Sequence, residues 1–228
     1  MTSPNTNPFD EIERILRTDP CHRGVEHLSC SGDLEQAARS LAKATRVGII
    51  TGFYIKRAQR WETDGPPGAL ALSAALQKLK IDVFHLVDDG TAEFFEAMNA
   101  GPLVAFEPRS RLDPFPSHLV AIERPGRAAD GKYYTMRGEV ITPTAQPLDQ
   151  LFLGAVADSL VTIAVGDGGN EMGMGKVHDA VVHRIPNGPV IASVVPADFL
   201  IASGTSNWGA WGLVAALSLV TKQPLLPT

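Results

Sequence analysis

Short, continuously apolar runs recur along this chain, and amphipathic stretches separate them. Arg46 to Thr51, Asp82 to Val87, Pro102 to Phe106, His118 to Ile122 and Leu160 to Val165 each hold about one strand's worth of apolar residues. Such runs without polar alternation are strands covered on both faces, so something must cover them. The segments between supply the covers: Asp33 to Ala44, Ala69 to Lys80, Thr91 to Met98 and Leu148 to Ala157 repeat apolar residues at helical spacing. Parallel strands need long crossovers, and helices are the usual crossover. The expected fold is therefore α/β, with three layers: a mainly parallel sheet flanked by helices on both faces.

Other segments fit around that frame. Pro8 to Arg17 reads as an outer helix within an N-terminal extension over residues 1–30, and Asp33 with Gln36 resembles a capping box. Lys132 to Ala145 lacks a sustained period and reads as an excursion or small hairpin. A helix over Lys176 to Arg184, the segments Pro189 to Val195 and Asp198 to Ser203, and a helix over Asn207 to Val220 close the chain. With 228 residues, 44% of them hydrophobic, a single domain over 1–228 has enough apolar material for its core.

Charge and composition narrow the partners. A net charge of -5, with no Lys/Arg cluster longer than a pair, argues against nucleic acid and anionic membranes, since phosphate binding needs concentrated positive charge. Trp211 to Val220 is the longest apolar segment, well short of the roughly 20 residues a bilayer requires. Met1 to Asp10 has neither a basic start nor an apolar stretch, so a cytosolic (cytoplasmic) location is expected. Cys21, His22, His27 and Cys30 are of zinc-ligand type. They lack the usual Cys-x2-Cys knuckle, and the preferred reading is a surface loop.

The chemistry concentrates in Gly166 to Lys176, directly after an expected strand. Five glycines and three charged groups in eleven residues make a tight bend around something small and polar. A Walker A loop ending at Gly175-Lys176 would need glycine at Asn170 and a hydroxyl at Val177, and a dinucleotide fingerprint from Gly166 would need glycine at Glu171. Both patterns fail. Asp167, Asn170 and Glu171 instead offer oxygen ligands suited to a hard divalent cation such as magnesium or manganese. Asp167 and Asn170 alone could be turn formers, but Glu171 has no turn-forming reason to be there.

Three further segments carry candidates. Glu62 and Asp64 precede a proline-marked helix start, where Asp64 is either an N-cap or a second contributor to the metal site. Glu123 to Gly131 is an acidic and basic turn in which Arg127 either pairs locally or forks onto a substrate carboxylate. Thr205 to Gly209 opens the last helix, and its free amides suit an anion or a plain cap. Lys176 is either a solvated helix-start residue or an acid or base.

Taken in order, Thr51-Gly52-Phe53, Glu62 to Ala69, His118 to Tyr134, Gly166 to Val177, Ala197-Asp198-Phe199 and Ser206-Asn207-Trp208-Gly209 resemble the D-glutamate cyclase family, over about residues 48–216. The resemblance implies a lyase (hydro-lyase) that closes D-glutamate to 5-oxo-D-proline with loss of water. Larger members join this module to a second, hydro-lyase-like region. Chemistry rather than the resemblance then places the roles. Asp64, Asp167 and Glu171 are the expected metal ligands. Glu62, Glu171 and Lys176 are the expected acid and base groups. Arg127 and the amides of Ser206 and Asn207 are the expected anchors for the substrate carboxylate. The rival readings are a metal-dependent phosphoryl hydrolase and a non-catalytic module that binds an acidic amino acid. The apolar last helix leaves room for a homo-oligomer.

Overall fold

The computed structural model describes residues 7–87, 90–106, 112–155 and 159–226. In chain order its elements begin with α1 (Pro8–Leu16), α2 (Asp33–Leu41), β1 (Arg46–Thr51) and a small antiparallel hairpin of β2 (Tyr54–Ile55) and β3 (Arg60–Trp61). They continue with α3 (Pro66–Lys78), β4 (Asp82–Val87), α4 (Ala92–Ala97), β5 (Leu103–Ala105) and β6 (His118–Ile122). α5 (Gln150–Gly154), β7 (Val161–Gly166), α6 (His178–Arg184), α7 (Gly188–Ile191), β8 (Phe199–Ala202) and α8 (Ser206–Thr221) complete the chain. The expected helix over Leu148 to Ala157 runs at its end into residues outside the described set.

Six strands form one all-parallel sheet in the order β5-β4-β1-β6-β7-β8. Side chains alternate across it. Val47, Ile49, Val120, Ile122, Ile163, Val165 and Ile201 face one way and pack with Leu34, Leu72, Leu76, Leu213 and Leu217 from α2, α3 and α8. Ile50, Leu119, Ala121, Ala164 and Leu200 face the other way, beneath Phe152, Met172, Met174, Val181 and Ile191. Each fully buried Leu or Ile of this kind contributes about 1.5–3 kcal/mol, which is why the apolar runs settle as strands between two covers. The three-layer expectation holds.

The strand order has a functional consequence. Counted without the hairpin, it is the doubly wound order 3-2-1-4-5-6, and the direction of winding reverses between β1 and β6. Connections leaving those two strands part to opposite sides, which opens a crevice at their carboxyl ends. Two local expectations change. The N-cap of α2 is Gly32 with no side-chain cap bond, and the Asp33 carboxylate instead receives Leu200 N at 2.7 Å and Lys176 Nζ at 2.6 Å. Gly65, not Asp64, is the N-cap of α3.

Candidate functional site

Loops after β1, β6, β7 and β8 meet over the crevice. Glu123 directly follows β6, with its backbone at φ 47 and its amide on Val165 O at 3.0 Å, so the strand pairing carries it to the sheet edge. Asp167 directly follows β7. Asp64 comes in from the β3–α3 connection, where a Cβ on Gly65 would run into Thr51 Oγ1 and lie 2.8 Å from Glu123 Cβ. Only glycine, at φ 100, lets that loop press against the strand ends. As a result Asp64, Glu123 and Asp167 each offer a carboxylate oxygen within 4.8 Å of one another.

The N-terminus of α8 fixes Asp64. Ser206 N donates to Asp64 Oδ2 at 3.0 Å and Asn207 N to Oδ1 at 2.7 Å, while Asn207 Oδ1 accepts from Gly65 N and Gly68 N. Ser206 Oγ donates to Glu123 Oε2 at 2.5 Å. The helix end thus holds an internal carboxylate, in the way free amides at a helix start hold an anion. The amides of Ser206 and Asn207, expected as anchors for the substrate carboxylate, are thus engaged by Asp64 and orient the acid cluster.

Glu171 is also placed differently from expectation. Its carboxylate accepts from Gly169 N at 2.7 Å and Asp167 N at 3.4 Å, inside its own glycine loop. It organises its own loop, and the carboxylate gathered with those of Asp64 and Asp167 is that of Glu123. Lys176 donates to Asp33 Oδ2 and to Asp198 O, both at 2.6 Å, which ties α2 to the start of β8. Arg127 forks onto Asp149 at 2.8 and 2.6 Å, and Tyr133 Oη donates to the same carboxylate. Both cations are committed to structural ion pairs. Neither lines the cavity described next.

A cavity of about 260 Å³ opens above the cluster. The carboxylates of Glu62, Glu123 and Asp167 and the amide of Asn170 line it with the apolar Phe53 and Met136, and Lys56, Arg57, Arg137 and Glu139 lie among its other lining residues. The hairpin β2–β3 supplies Lys56 and Arg57, and the 135–139 turn supplies Arg137. Arg23 also reaches in. Its Nη1 meets Asp167 Oδ1 at 2.5 Å across 144 positions of sequence.

Burial sets the protonation. It is the largest cause pushing the Glu62 carboxyl up to about 7; contact with Glu123 pulls it down, and the charges of Asp64 and Glu171 add to the rise. Asp167 is pushed up to about 8 by burial and by Glu171, against the pull of Arg23. Glu123 is held well above the usual carboxylate range by burial, then by Asp167 and Glu171. Burial likewise raises Glu171, and its loop amides oppose the rise. Crowded, desolvated carboxylates of this kind mark acid–base and metal sites. Among the described residues, the Cys21, His22, His27 and Cys30 set is not gathered into a metal-binding group, and no helix is long and apolar enough to cross a membrane.

Comparison with known proteins agrees with the resemblance. A family profile described as D-glutamate cyclase-like, C-terminal, matches residues 12–228. Human D-glutamate cyclase, designated mitochondrial, is 40% identical over 237 aligned residues, which is 92% of this chain and 38% of the human protein. The chain therefore spans well under half the length of that relative.

Proposed function

The chain belongs to the D-glutamate cyclase-like family, and we propose from that premise that it is a lyase converting D-glutamate to 5-oxo-D-proline by intramolecular dehydration. One observation carries the reading: the cavity is lined by both signs of charge, with the carboxylates of Glu62, Glu123 and Asp167 beside Asp64, and with Lys56, Arg57, Glu139 and Arg137 also in the lining. A small amino acid with an ammonium and two carboxylates matches that polarity. The cationic side, led by Lys56 and Arg137, takes the role expected of Arg127 and receives the α-carboxylate. That leaves the amino group and the γ-carboxylate facing the acids.

The donor set fits a divalent cation. Asp64, Glu123 and Asp167 bring carboxylate oxygens within 4.8 Å of one another, and Glu62 Oε1 is buried without a partner among the described residues, so the cluster offers more acceptor oxygens than Arg23 engages. Magnesium or manganese on Asp64, Glu123 and Asp167 would supply Lewis-acid polarisation of the γ-carboxylate, an effect of several kcal/mol. The protein's own groups do the rest. Closing the cavity around a curled substrate supplies proximity, which in well-oriented intramolecular reactions is a large part of the rate. Glu62 lies near neutrality and so can both accept and return a proton at physiological pH. In balance, two protons leave the nitrogen and two arrive on the departing carboxylate oxygen, which leaves as water.

The experiment is a proton NMR time course of the purified chain with D- and L-glutamate, with and without manganese. Lactam signals growing from D-glutamate support the proposal. Phosphate release from simple esters in place of lactam would favour the hydrolase, and binding without turnover would favour the non-catalytic module. A cytosolic location and a homo-oligomer built on α8 stay part of the proposal. Because the human relative is designated mitochondrial, imaging the tagged chain in its own cells would decide the compartment.

A further inference from the structure

The lining of the cavity carries an acceptor that no described residue uses. Asn170 is 1% exposed and lines the cavity. Its Nδ2 donates to Tyr134 O at 2.7 Å, and because a carbonyl can only accept, that bond fixes which way round the amide lies. The Oδ1 atom is thereby turned away from Tyr134, and it is buried with no partner among the described residues. A buried acceptor left without a donor is costly, so the unpaired oxygen points to a ligand that brings one.

The loop is shaped around that oxygen. A Cβ on Gly168 would lie 2.9 Å from Asn170 Oδ1, 2.9 Å from Glu171 Oε1, and against Met136 Sδ. Glycine at this position lets a neutral acceptor and an anionic acceptor converge on the backbone beside a polarisable sulfur. Two acceptors and no donor among those side-chain atoms are the complement of an N–H group and repel a carboxylate. Arg23, whose Nη1 meets Asp167, does not donate to Asn170 Oδ1.

We infer that Asn170 is the residue that recognises the substrate's amino group, holding it through Oδ1 beside the acid cluster; this rests on the cavity taking an acidic amino acid. Ligands are then sorted by amine as well as by carboxylates. Glutarate, a five-carbon dicarboxylate without nitrogen, keeps the two carboxylates of D-glutamate and lacks the amino group.

Binding of D-glutamate and of glutarate to the full chain, measured by calorimetry, tests the inference through their ratio. The wild type should prefer D-glutamate by about tenfold to a hundredfold, the worth of a hydrogen bond to a charged donor. Asn170→Leu should cut the preference for D-glutamate by about tenfold or more and leave glutarate unchanged, and Asn170→Asp, which keeps an acceptor in place, should restore the preference. Asn170→Ser, too short to reach, serves where the leucine variant does not fold and should also lose the preference. Equal weakening of both ligands, or an unchanged ratio with weaker manganese binding, would overturn the assignment and give Asn170 a structural or metal role. If neither ligand binds the wild type, the acidic amino acid reading itself fails, and the inference falls with it.

Discussion

Replacing Glu62 by glutamine should make the cation-free protein more stable at pH 8 while removing turnover. The carboxyl titrates at about 7 in the folded protein, against 4.5 for an unperturbed glutamate. A raised folded value means stability is full below pH 4.5 and is lost as the pH rises through 7. At pH 8 nearly the whole difference is expressed, about 3 kcal/mol at roughly 1.4 kcal/mol for each tenfold step. Glutamine keeps the shape and can still accept a hydrogen bond, so about 2–3 kcal/mol should be recovered, or very roughly 5–10 °C for a chain of this size. Urea unfolding with chelator present, at pH 4.5 and pH 8, measures it. The variant should match the wild type at the lower pH and exceed it at the higher. A variant destabilised at pH 8, or displaced equally at both values, would refute the claim that Glu62 is held charged at a cost.

Arg127→Met should leave Asp149 buried without its cation and destabilise the fold by about 3–5 kcal/mol, while the turnover number of the folded fraction stays near wild type. Steady-state kinetics beside chemical denaturation separates the two effects. Lys176→Met should likewise cost stability through Asp33 and spare the chemistry, and a selective loss of turnover would restore the acid role expected from sequence. His85 lies in the core against Phe95, and burial pushes it down to about 4. Its contribution is present above pH 6.5 and is lost as the pH falls towards 4, by up to about 3 kcal/mol. His85→Phe should flatten that limb of the stability profile in acid unfolding curves.

The fold was legible where burial is two-sided. β1, β4 and β6 begin and end where their apolar runs do, because a strand sealed on both faces is apolar along most of its length, with His85 within β4 the exception. The hairpin β2–β3 escaped notice, since two-residue strands flanking Lys56 and Arg57 show no period at all. In the site, Glu62, Asp64 and Asp167 announced themselves as acids beside glycine and proline turns. Glu123 did not, because Arg124 and Arg127 in the same turn made local pairing the natural expectation, whereas Arg127 turns to Asp149. Arg23 could not be found by spacing, with its partner 144 positions away. Ser206, Asn207, Glu171 and Lys176 have the right chemistry for the roles expected of them. Their partners, Asp64, the loop amides of Gly169 and Asp167, and Asp33, are supplied by packing, which no local pattern encodes.

Anomalous diffraction from a crystal grown with manganese tests the central claim most directly. The account predicts a single strong peak within bonding distance of oxygens from Asp64, Glu123 and Asp167, at the carboxyl ends of β6 and β7. A cluster without a peak at saturating manganese, with Arg23 still seated on Asp167, would contradict it.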